Sequence, residues 1–349
     1  MEWMIYGANG YTGQLMVEEA LKRGMRPILA GRSRESIEPM AQKYGLPARV
    51  FGLDKPDAAV MGLRGMELVL HCAGPFSKTS APMLKACLEV GAHYLDITGE
   101  IDVFAHCHTL DAEAKQRGIV IMPGAGFDVV PTDCLASILK LELPTASNLV
   151  LAFDAPGGPS PGTAKTAVEG LGKGGRARIN GAMVKVPLAW KTRSFDKNGE
   201  KRLAMTIPWG DVYTAFISTG IPNIEVYMCV PPSTIENLRK IRRLGPLLGF
   251  SPVQKMLKAQ IDKKVRGPDE EKRKDAETWI WGEVSDAAGR QVSGILKTPN
   301  GYTLTVLSAL GVVNKLMAAQ RPIGGFYTPS RLMGADYILR LPGVKRVSK

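Results

Sequence analysis

Along the first 125 residues, short apolar runs alternate with stretches in which apolar residues recur every three or four positions. The apolar runs predict strands at Trp3–Tyr6, Pro27–Ala30, Val50–Leu53, Glu67–Ala73, Tyr94–Ile97 and Ile119–Met122. The stretches between them predict amphipathic helices, for which Gly24 and Gly45 are signals of a C-terminal cap. Strands that alternate with helices indicate a parallel sheet with helices on both faces, the doubly wound Rossmann topology of the α/β class.

From about Leu149 the pattern changes to longer apolar runs that are typical of strands. They predict strands at Asn148–Asp154, Val184–Phe195, Arg202–Pro208, Asn223–Val230, Thr278–Ser285 and Gln291–Thr298. A helix is predicted over Thr163–Leu171, and Asp286–Arg290 has the composition of a hairpin turn. This part of the chain therefore predicts a second, more antiparallel α+β domain. A helical pattern returns near Gly301 and again over Pro329–Leu341.

A glycine-rich segment, Gly7-Ala8-Asn9-Gly10-Tyr11-Thr12-Gly13, lies between the first predicted strand and the first predicted helix. Glycines at this place allow a tight turn and a close approach of the backbone to a pyrophosphate. The helix that follows offers backbone N–H donors and a favourable dipole to the same anion. In this strand–turn–helix context the segment predicts a dinucleotide-binding site.

The residues after the second predicted strand distinguish NAD from NADP. A site for NAD places Asp or Glu there to bind the ribose hydroxyl, but this chain has Arg32 and Ser33. A guanidinium makes charge-assisted contacts with a 2′-phosphate, and serine adds a hydroxyl. The sequence therefore predicts NADP(H) as the cofactor, with solvated turn residues as the alternative role of Arg32 and Arg34.

Two further segments, 71–76 and 94–100, follow the fourth and fifth predicted strands. In a doubly wound fold the nicotinamide lies beyond the carboxyl ends of the strands, where both segments are expected. Small residues after His71 permit a close approach, and Phe76 is expected to form a wall. Cys72 is interpreted as a packed small residue rather than as a nucleophile.

The motifs GANGYTG, AGRS, HCAGPF, YLDITGE and GAGFDVVPTD together resemble those of the saccharopine dehydrogenase-like reductases. The resemblance continues through GTAKT, GPDEEKR, WGEVSDAAGR, GYTLT and GGFYTPSRLMG, and thus covers nearly the whole chain. Within the family, the chain looks most like the branch of the trans-acting enoyl reductases and the animal saccharopine dehydrogenase-like oxidoreductases. It departs from the pattern at Ser160-Pro161-Gly162, where relatives tend to have Ser-Gly-Gly.

The resemblance implies an NADP-binding Rossmann domain over 1–130 and an inserted α+β domain for substrate binding and dimerisation over 131–300. It implies C-terminal helices over 301–349 that pack back on the first domain. The residues implied at the pyrophosphate are Gly7, Asn9, Gly10, Tyr11, Thr12 and Gly13, with Arg32 and Ser33 at the 2′-phosphate. Those implied at the nicotinamide ribose are Cys72, Ala73, Gly74, Pro75, Phe76, Thr98, Gly99 and Glu100. Gly126, Phe127 and Asp128 are implied to join the two domains.

Hydride transfer to a carbon acceptor also needs a proton or an electrophile, and the sequence leaves its source open. The candidates are Asp96, Asp128 and Lys165, each with a structural alternative: Asp128 as a helix cap and Lys165 as a solvated helix residue. His71 and His93 lie in or near strands and are interpreted as structural. Water or a substrate group is the remaining alternative.

The formal net charge of +12 is distributed unevenly. Residues 1–130 carry 13 Lys and Arg against 15 Asp and Glu, whereas the remaining residues carry 32 against 18. The excess is densest over 239–266, where basic residues such as Arg242 and Arg243 interleave with apolar ones at helical spacing. This predicts two short basic amphipathic helices. They would dock an acidic carrier protein or an anionic membrane surface, or else pack on the core with solvated lysines outside.

The remaining composition narrows the class of protein. Five dispersed cysteines without a CxxC pair favour a reduced, cytoplasmic protein without a bound metal, and peripheral membrane attachment is an open alternative. No nucleic-acid module is visible, and a homodimer is left open. The leading hypothesis is an NADPH-dependent reductase of an activated C=C bond on a lipid- or polyketide-like acyl substrate. The alternatives are an imine or carbonyl reductase, and a lipid-associated protein that binds NADP(H) without turnover.

Overall fold

The computed structural model describes residues 2–242, 248–318 and 323–347. The chain divides into two compact units, and each contains two separate parts of the sequence. The first unit consists of Met1–Val130 with Tyr302–Met333, and the second consists of Pro131–Gly301 with Gly334–Lys349. An insertion between the two parts of the first unit therefore forms most of the second unit.

The first unit contains a seven-stranded parallel sheet with the order β15-β6-β5-β4-β1-β2-β3. Its strands are β1 (Trp3–Tyr6), β2 (Ile28–Gly31), β3 (Ala48–Val50), β4 (Leu68–His71), β5 (His93–Asp96), β6 (Val120–Met122) and β15 (Gly325–Phe326). Central strand residues such as Ile5, Leu70 and Leu95 are fully buried, as expected for a sheet covered on both faces. The predicted doubly wound fold is confirmed.

The helices of this unit alternate with its strands. They are α1 (Tyr11–Lys22), α2 (Arg34–Tyr44), α3 (Pro56–Leu63), α4 (Phe76–Val90), α5 (Ile101–Thr109), α6 (Asp111–Arg117), α13 (Gly301–Met317) and α14 (Pro329–Met333). Gly45 ends α2 in the left-handed conformation, with φ +61°, as its position in the pattern predicts. The third strand lies two residues earlier than predicted, because its pairing with β2 begins at Ala48 and the apolar Phe51 packs against Tyr6 in a loop.

The second unit contains a mixed sheet in which only β7 and β12 pair in parallel among the described strands. Its strands are β7 (Asn148–Asp154), β8 (Gly175–Ile179), β9 (Ala182–Val186), β10 (Thr192–Lys197), β11 (Glu200–Thr206), β12 (Asn223–Cys229), β13 (Glu277–Ser285), β14 (Gln291–Pro299) and β16 (Lys345–Val347). Its helices are α7 (Val130–Glu142), α8 (Pro161–Leu171), α9 (Asp211–Thr219), α10 (Pro232–Ile241), α11 (Ser251–Lys264) and α12 (Glu270–Asp275).

Two predictions for this part of the chain were wrong in detail. The single strand predicted over Val184–Phe195 is two strands, because Pro187 has no N–H to donate and Ala189 has a left-handed φ of 50°. The helix predicted over Pro329–Leu341 breaks at Gly334, which has a φ of +91°. After that break the chain enters the second unit, where β16 pairs with β14. Residues 334–347 thus belong to the second unit.

The second part of the basic segment forms α11, as predicted, whereas Arg239 and Lys240 of the first part lie in the last turn of α10, which begins earlier, at Pro232. Arg243, which the sequence places in the first basic cluster, lies outside the described residues. None of the helices in the described part of the chain has both the length and the apolar character needed to cross a membrane.

Candidate functional site

The turn between β1 and α1 is too tightly packed to accept a Cβ atom at its glycine positions. The backbone N–H of Gly7 donates to Ala30 O at 2.7 Å, and Gly10 N–H donates to Gly7 O at 3.0 Å. A Cβ on Gly7 would lie 2.8 Å from Ala73 Cβ, and one on Gly13 would lie 2.2 Å from Gly7 O. The three glycines therefore permit a backbone path that no other residue could follow without a shift.

The first turn of α1 is suited to an anion. Gly10 is its N-cap residue and has no side chain to bond the exposed N–H groups, and the turn contains no acidic residue. Unbonded N–H groups and the positive end of the helix dipole attract a phosphate at such a place. The turn therefore fits the pyrophosphate of a dinucleotide.

Arg32 and Arg34 differ in their surroundings. Arg34 forms an ion pair with Glu38 one turn along α2. Arg32, immediately after β2, is exposed and has no ion pair among residues 2–242, 248–318 and 323–347. Ser33 begins α2, and its hydroxyl donates to Glu35 Oε2 at 3.0 Å. Arg32 is therefore the guanidinium that remains available for a 2′-phosphate.

The segment 72–76 after β4 is held from two sides. Thr79 Oγ1 donates to Ala73 O at 2.7 Å and lies 3.0 Å from His71 Nε2. Burial lowers the pKa of His71 to about 3, so the ring is neutral at physiological pH. Burial also raises the pKa of the Cys72 thiol well above its usual range. Both findings agree with the interpretation of His71 as structural and of Cys72 as a packed residue.

Glu100 caps the helix that follows this segment, a role that the sequence did not indicate. Its Oε1 accepts from Phe76 N at 2.9 Å, and its Oε2 accepts from Ser77 N at 3.1 Å. These are the first N–H groups of α4, which have no partners within the helix. The carboxylate thus fixes the end of β5 against the segment after β4, at the edge where the nicotinamide is expected.

Asp96, the last residue of β5, is fully buried and has a structural set of contacts. Its Oδ2 accepts from Tyr94 Oη at 2.6 Å, and its Oδ1 accepts from the backbone N–H groups of Thr98 and Gly124, both at 2.9 Å. Burial raises the pKa of Asp96 to about 6, although these hydrogen bonds favour the ionised form. Asp96 joins two loops and has little freedom to exchange a proton with a substrate.

Asp128 lies on the loop that contains Gly124, and its surroundings differ from those of Asp96. The residue is partly exposed, and its Oδ2 is 2.9 Å from where a Cβ on Gly99 would be. Desolvation of the carboxyl raises the pKa of Asp128 to about 7, and the carboxylates of Glu100 and Asp96 raise it as well. A carboxylic acid that is half-protonated near neutral pH is suited to general acid catalysis.

The helix α13 anchors the loop that carries Asp128. Thr305 Oγ1 accepts from Phe127 N at 2.9 Å, and Ser308 Oγ donates to Ala125 O at 2.8 Å. A Cβ on Gly126 would lie 2.8 Å from Thr305 Cγ2, so the contact requires glycine. Neither Thr305 nor Ser308 was predicted to have this role; Thr305 ends the GYTLT segment, and Ser308 follows it in the same helix.

Two further residues, one of which was not predicted, remain to be placed. Tyr302 of α13 packs edge-on against Tyr11 at the start of α1, with ring centroids 5.0 Å apart, and was missed by the sequence analysis. Lys165 lies half-buried on α8 of the second unit. The structure thus brings the glycine turn, the segments 72–76 and 98–100, and Asp128 to the carboxyl ends of β1, β4, β5 and β6.

Comparison with known proteins gives the same assignment for this unit. Residues 3–122 match the family model of the saccharopine dehydrogenase NADP binding domain. The saccharopine dehydrogenase-like oxidoreductase of Mus musculus is 29% identical over 201 residues, which are 50% of this chain and 47% of that protein. The trans-acting enoyl reductase of Mycobacterium bovis is 33% identical over 141 residues, which are 37% of this chain and 33% of that protein.

The fold also matches that of a solved enzyme. Saccharopine dehydrogenase (L-Glu forming) from Saccharomyces cerevisiae superposes with a TM-score of 0.63 at 11% identity, over 99% of this chain and 100% of that one. At so low an identity the match shows the fold alone. The aligned region of the mouse relative amounts to about half of that protein's length.

The first unit is thus a Rossmann domain built to bind a nicotinamide dinucleotide. More particularly, residues 3–122 of this unit match the saccharopine dehydrogenase NADP binding domain, in agreement with the resemblance that the motifs in this part of the chain indicated. NADP(H) as the cofactor is confirmed at the level of this domain family.

Proposed function

We propose that the protein is an NADPH-dependent oxidoreductase that reduces an activated C=C bond on a lipid- or polyketide-like acyl substrate. The observation that carries the reductase assignment is the partly exposed Asp128, with its raised pKa, beside the segment 98–100. The similarity of residues in this chain to a trans-acting enoyl reductase supports the choice of a C=C bond.

In this proposal, residues of the first unit would hold each part of the cofactor. The turn of Gly7, Gly10 and Gly13 with the first turn of α1 binds the pyrophosphate, as do Asn9, Tyr11 and Thr12. Arg32 and Ser33 bind the 2′-phosphate, and the close approach of Gly7 to Ala73 brings the segment 72–76 beside the turn. Thr98, Gly99 and Glu100 then border the nicotinamide ribose from the end of β5.

When bound, NADPH supplies a hydride, that is, one proton and two electrons, to the acceptor. Saturation of a C=C bond requires one further proton, which Asp128 donates from its neutral carboxylic acid. The raised pKa keeps a substantial fraction of Asp128 protonated near pH 7. Solvent reprotonates the carboxylate afterwards, because the residue is partly exposed. This role is more suitable for Asp128 than for Asp96, because Asp128 is partly exposed whereas Asp96 is fully buried.

Replacement of Arg32 by Ala is expected to weaken NADPH binding by about tenfold to a hundredfold, because a charge-assisted phosphate contact contributes roughly 1.5–3 kcal/mol. NADH, which has no 2′-phosphate, is expected to bind equally well to both proteins. Isothermal titration with each cofactor measures the difference, and Arg34→Ala is the matched control because Arg34 is paired with Glu38. Equal losses for both cofactors in Arg32→Ala would contradict the phosphate contact.

The substrate class is tested by NADPH oxidation with a panel of acceptors. We expect absorbance at the NADPH band to fall with α,β-unsaturated acyl thioesters, and faster with long acyl chains than with short ones. An imine or carbonyl reductase would instead require an aldehyde acid with an amine. Consumption of NADPH with that pair alone would replace the C=C assignment, and no consumption with any acceptor would favour a protein that binds NADP(H) without turnover.

A further inference from the structure

The helices α8 and α11 of the second unit form a pair whose surface is largely uncovered by the rest of that unit. Contacts between them include a hydrogen bond from Gln254 Nε2 to Val168 O at 2.9 Å and an ion pair of Lys258 with Glu169. Yet α8 contains no buried residue, and no described side chain of α11 is buried either. The two helices cover each other and leave much of their surface uncovered within this unit.

The two sides of α11 differ in exposure, and the more exposed side combines apolar and basic residues. Val253, Leu257 and Ile261 are half-buried and share the side that carries Gln254 and Lys258. The opposite side is exposed and carries Pro252, Lys255, Met256, Ala259 and Lys263; together with the exposed Phe250, the residue that precedes the helix, we call it the α11 outer face. Phe250 is 59% exposed and Met256 is 56% exposed, and both are large side chains that are normally buried.

The lysines of this face are available to a partner. Lys255 and Lys263 are exposed, and neither forms an ion pair with any residue that the structure describes. Lys258, on the side towards α8, is paired with Glu169 and contributes no free charge. The α11 outer face therefore presents two cations around exposed phenylalanine, alanine and methionine side chains.

We propose that the α11 outer face binds the surface of an anionic phospholipid bilayer. A helix with lysines and large apolar residues on one side lies in the plane of the interface, where the apolar groups enter the acyl boundary and the cations meet the headgroups. Charge complementarity alone would also suit an acidic protein. The exposed Phe250 and Met256 favour the bilayer, because they gain burial there without a shaped pocket on the partner.

The test is flotation of the full chain with vesicles of two parts phosphatidylcholine to one part phosphatidylserine, and with vesicles of phosphatidylcholine alone. The wild type is expected to float with the anionic vesicles and to be released by high salt. The variants Lys255→Glu with Lys263→Glu, and Phe250→Ser with Met256→Ser, are each expected to reduce the bound fraction more than about tenfold.

The matched control replaces Met61, which is 64% exposed on α3, by Ser and the exposed Lys85 of α4 by Glu. This variant is expected to float like the wild type, and all proteins are to be compared for NADPH affinity and thermal unfolding so that misfolding is recognised. Equal flotation of wild type and outer-face variants overturns the proposal. The proposal is also overturned if the wild type does not float with vesicles but binds an acidic acyl-carrier protein through the same residues.

Discussion

Replacement of Asp128 by Asn is expected to lower kcat of NADPH-dependent reduction by about 10²- to 10⁴-fold, the usual contribution of a general acid. The amide keeps the size of the side chain but cannot supply a proton. NADPH affinity is expected to remain within about twofold, because the cofactor contacts lie on other residues. Steady-state kinetics with an enoyl thioester and a separate NADPH titration measure the two effects.

The pH dependence gives a second measure of the same residue. Asp128 must be protonated, so kcat of the wild type is expected to fall as pH rises through about 7. The free energy of unfolding of the wild type is also expected to fall as pH rises. The folded-state pKa is raised above the usual value of 3.8, so wild-type stability declines from about pH 4 to about pH 7 as the unfolded chain ionises first.

The Asn side chain cannot ionise, so Asp128→Asn is expected to show neither the fall in kcat nor the fall in stability as pH rises. Its melting temperature is expected to equal that of the wild type near pH 4 and to exceed it by a few degrees near pH 8. An unchanged kcat, or a falling limb in the variant with the same midpoint, would remove Asp128 from the reaction.

Replacement of Gly13 by Ala is expected to weaken NADPH binding by about a hundredfold, which corresponds to roughly 3 kcal/mol. The new Cβ would lie 2.2 Å from Gly7 O and 2.9 Å from Ala8 Cα, both backbone atoms, so the turn must open. An opened turn moves the N–H groups that bind the pyrophosphate.

A graded series of variants separates this effect from a general loss of folding. A Cβ on Gly10 would lie 3.2 Å from Gly7 O, so Gly10→Ala is expected to weaken NADPH binding less than Gly13→Ala. Gly170 on α8 has no neighbour within 4 Å of its Cβ position, and Gly170→Ala is expected to leave the affinity unchanged. Circular dichroism checks folding, and an equal affinity in all three variants would contradict a binding role for the turn.

Local sequence signals predicted most strands of the first unit and its glycine turn, although the third strand was displaced and β15 was not predicted. The strand periodicity, the glycines at 7, 10 and 13 and the arginine after the second strand can each be recognised from a few neighbouring residues. The tight Cβ distances at Gly7 and Gly13 show why those positions have glycine. The ion pair of Arg34 with Glu38 is consistent with the choice of Arg32, rather than Arg34, for the 2′-phosphate.

The features that sequence analysis missed depend on contacts between distant segments. Glu100 caps α4 across 24 positions, and Thr305 holds Phe127 across 178 positions. No periodicity or spacing indicates such pairs. The raised pKa of Asp128 likewise arises from burial and from Glu100 and Asp96, which the fold brings near it. The strand β16 is short and has two charged residues of three, so its pairing with β14 had no hydrophobic signal.

In the proposed reaction, hydride passes from NADPH to a C=C bond. Its most direct test is reduction of an enoyl thioester with NADPH that carries deuterium at the transferable C4 position, followed by mass spectrometry of the product. The account predicts one deuterium at the β-carbon and a solvent proton at the α-carbon. A product without deuterium, or deuterium found only in an alcohol or amine formed from other acceptors, would contradict it.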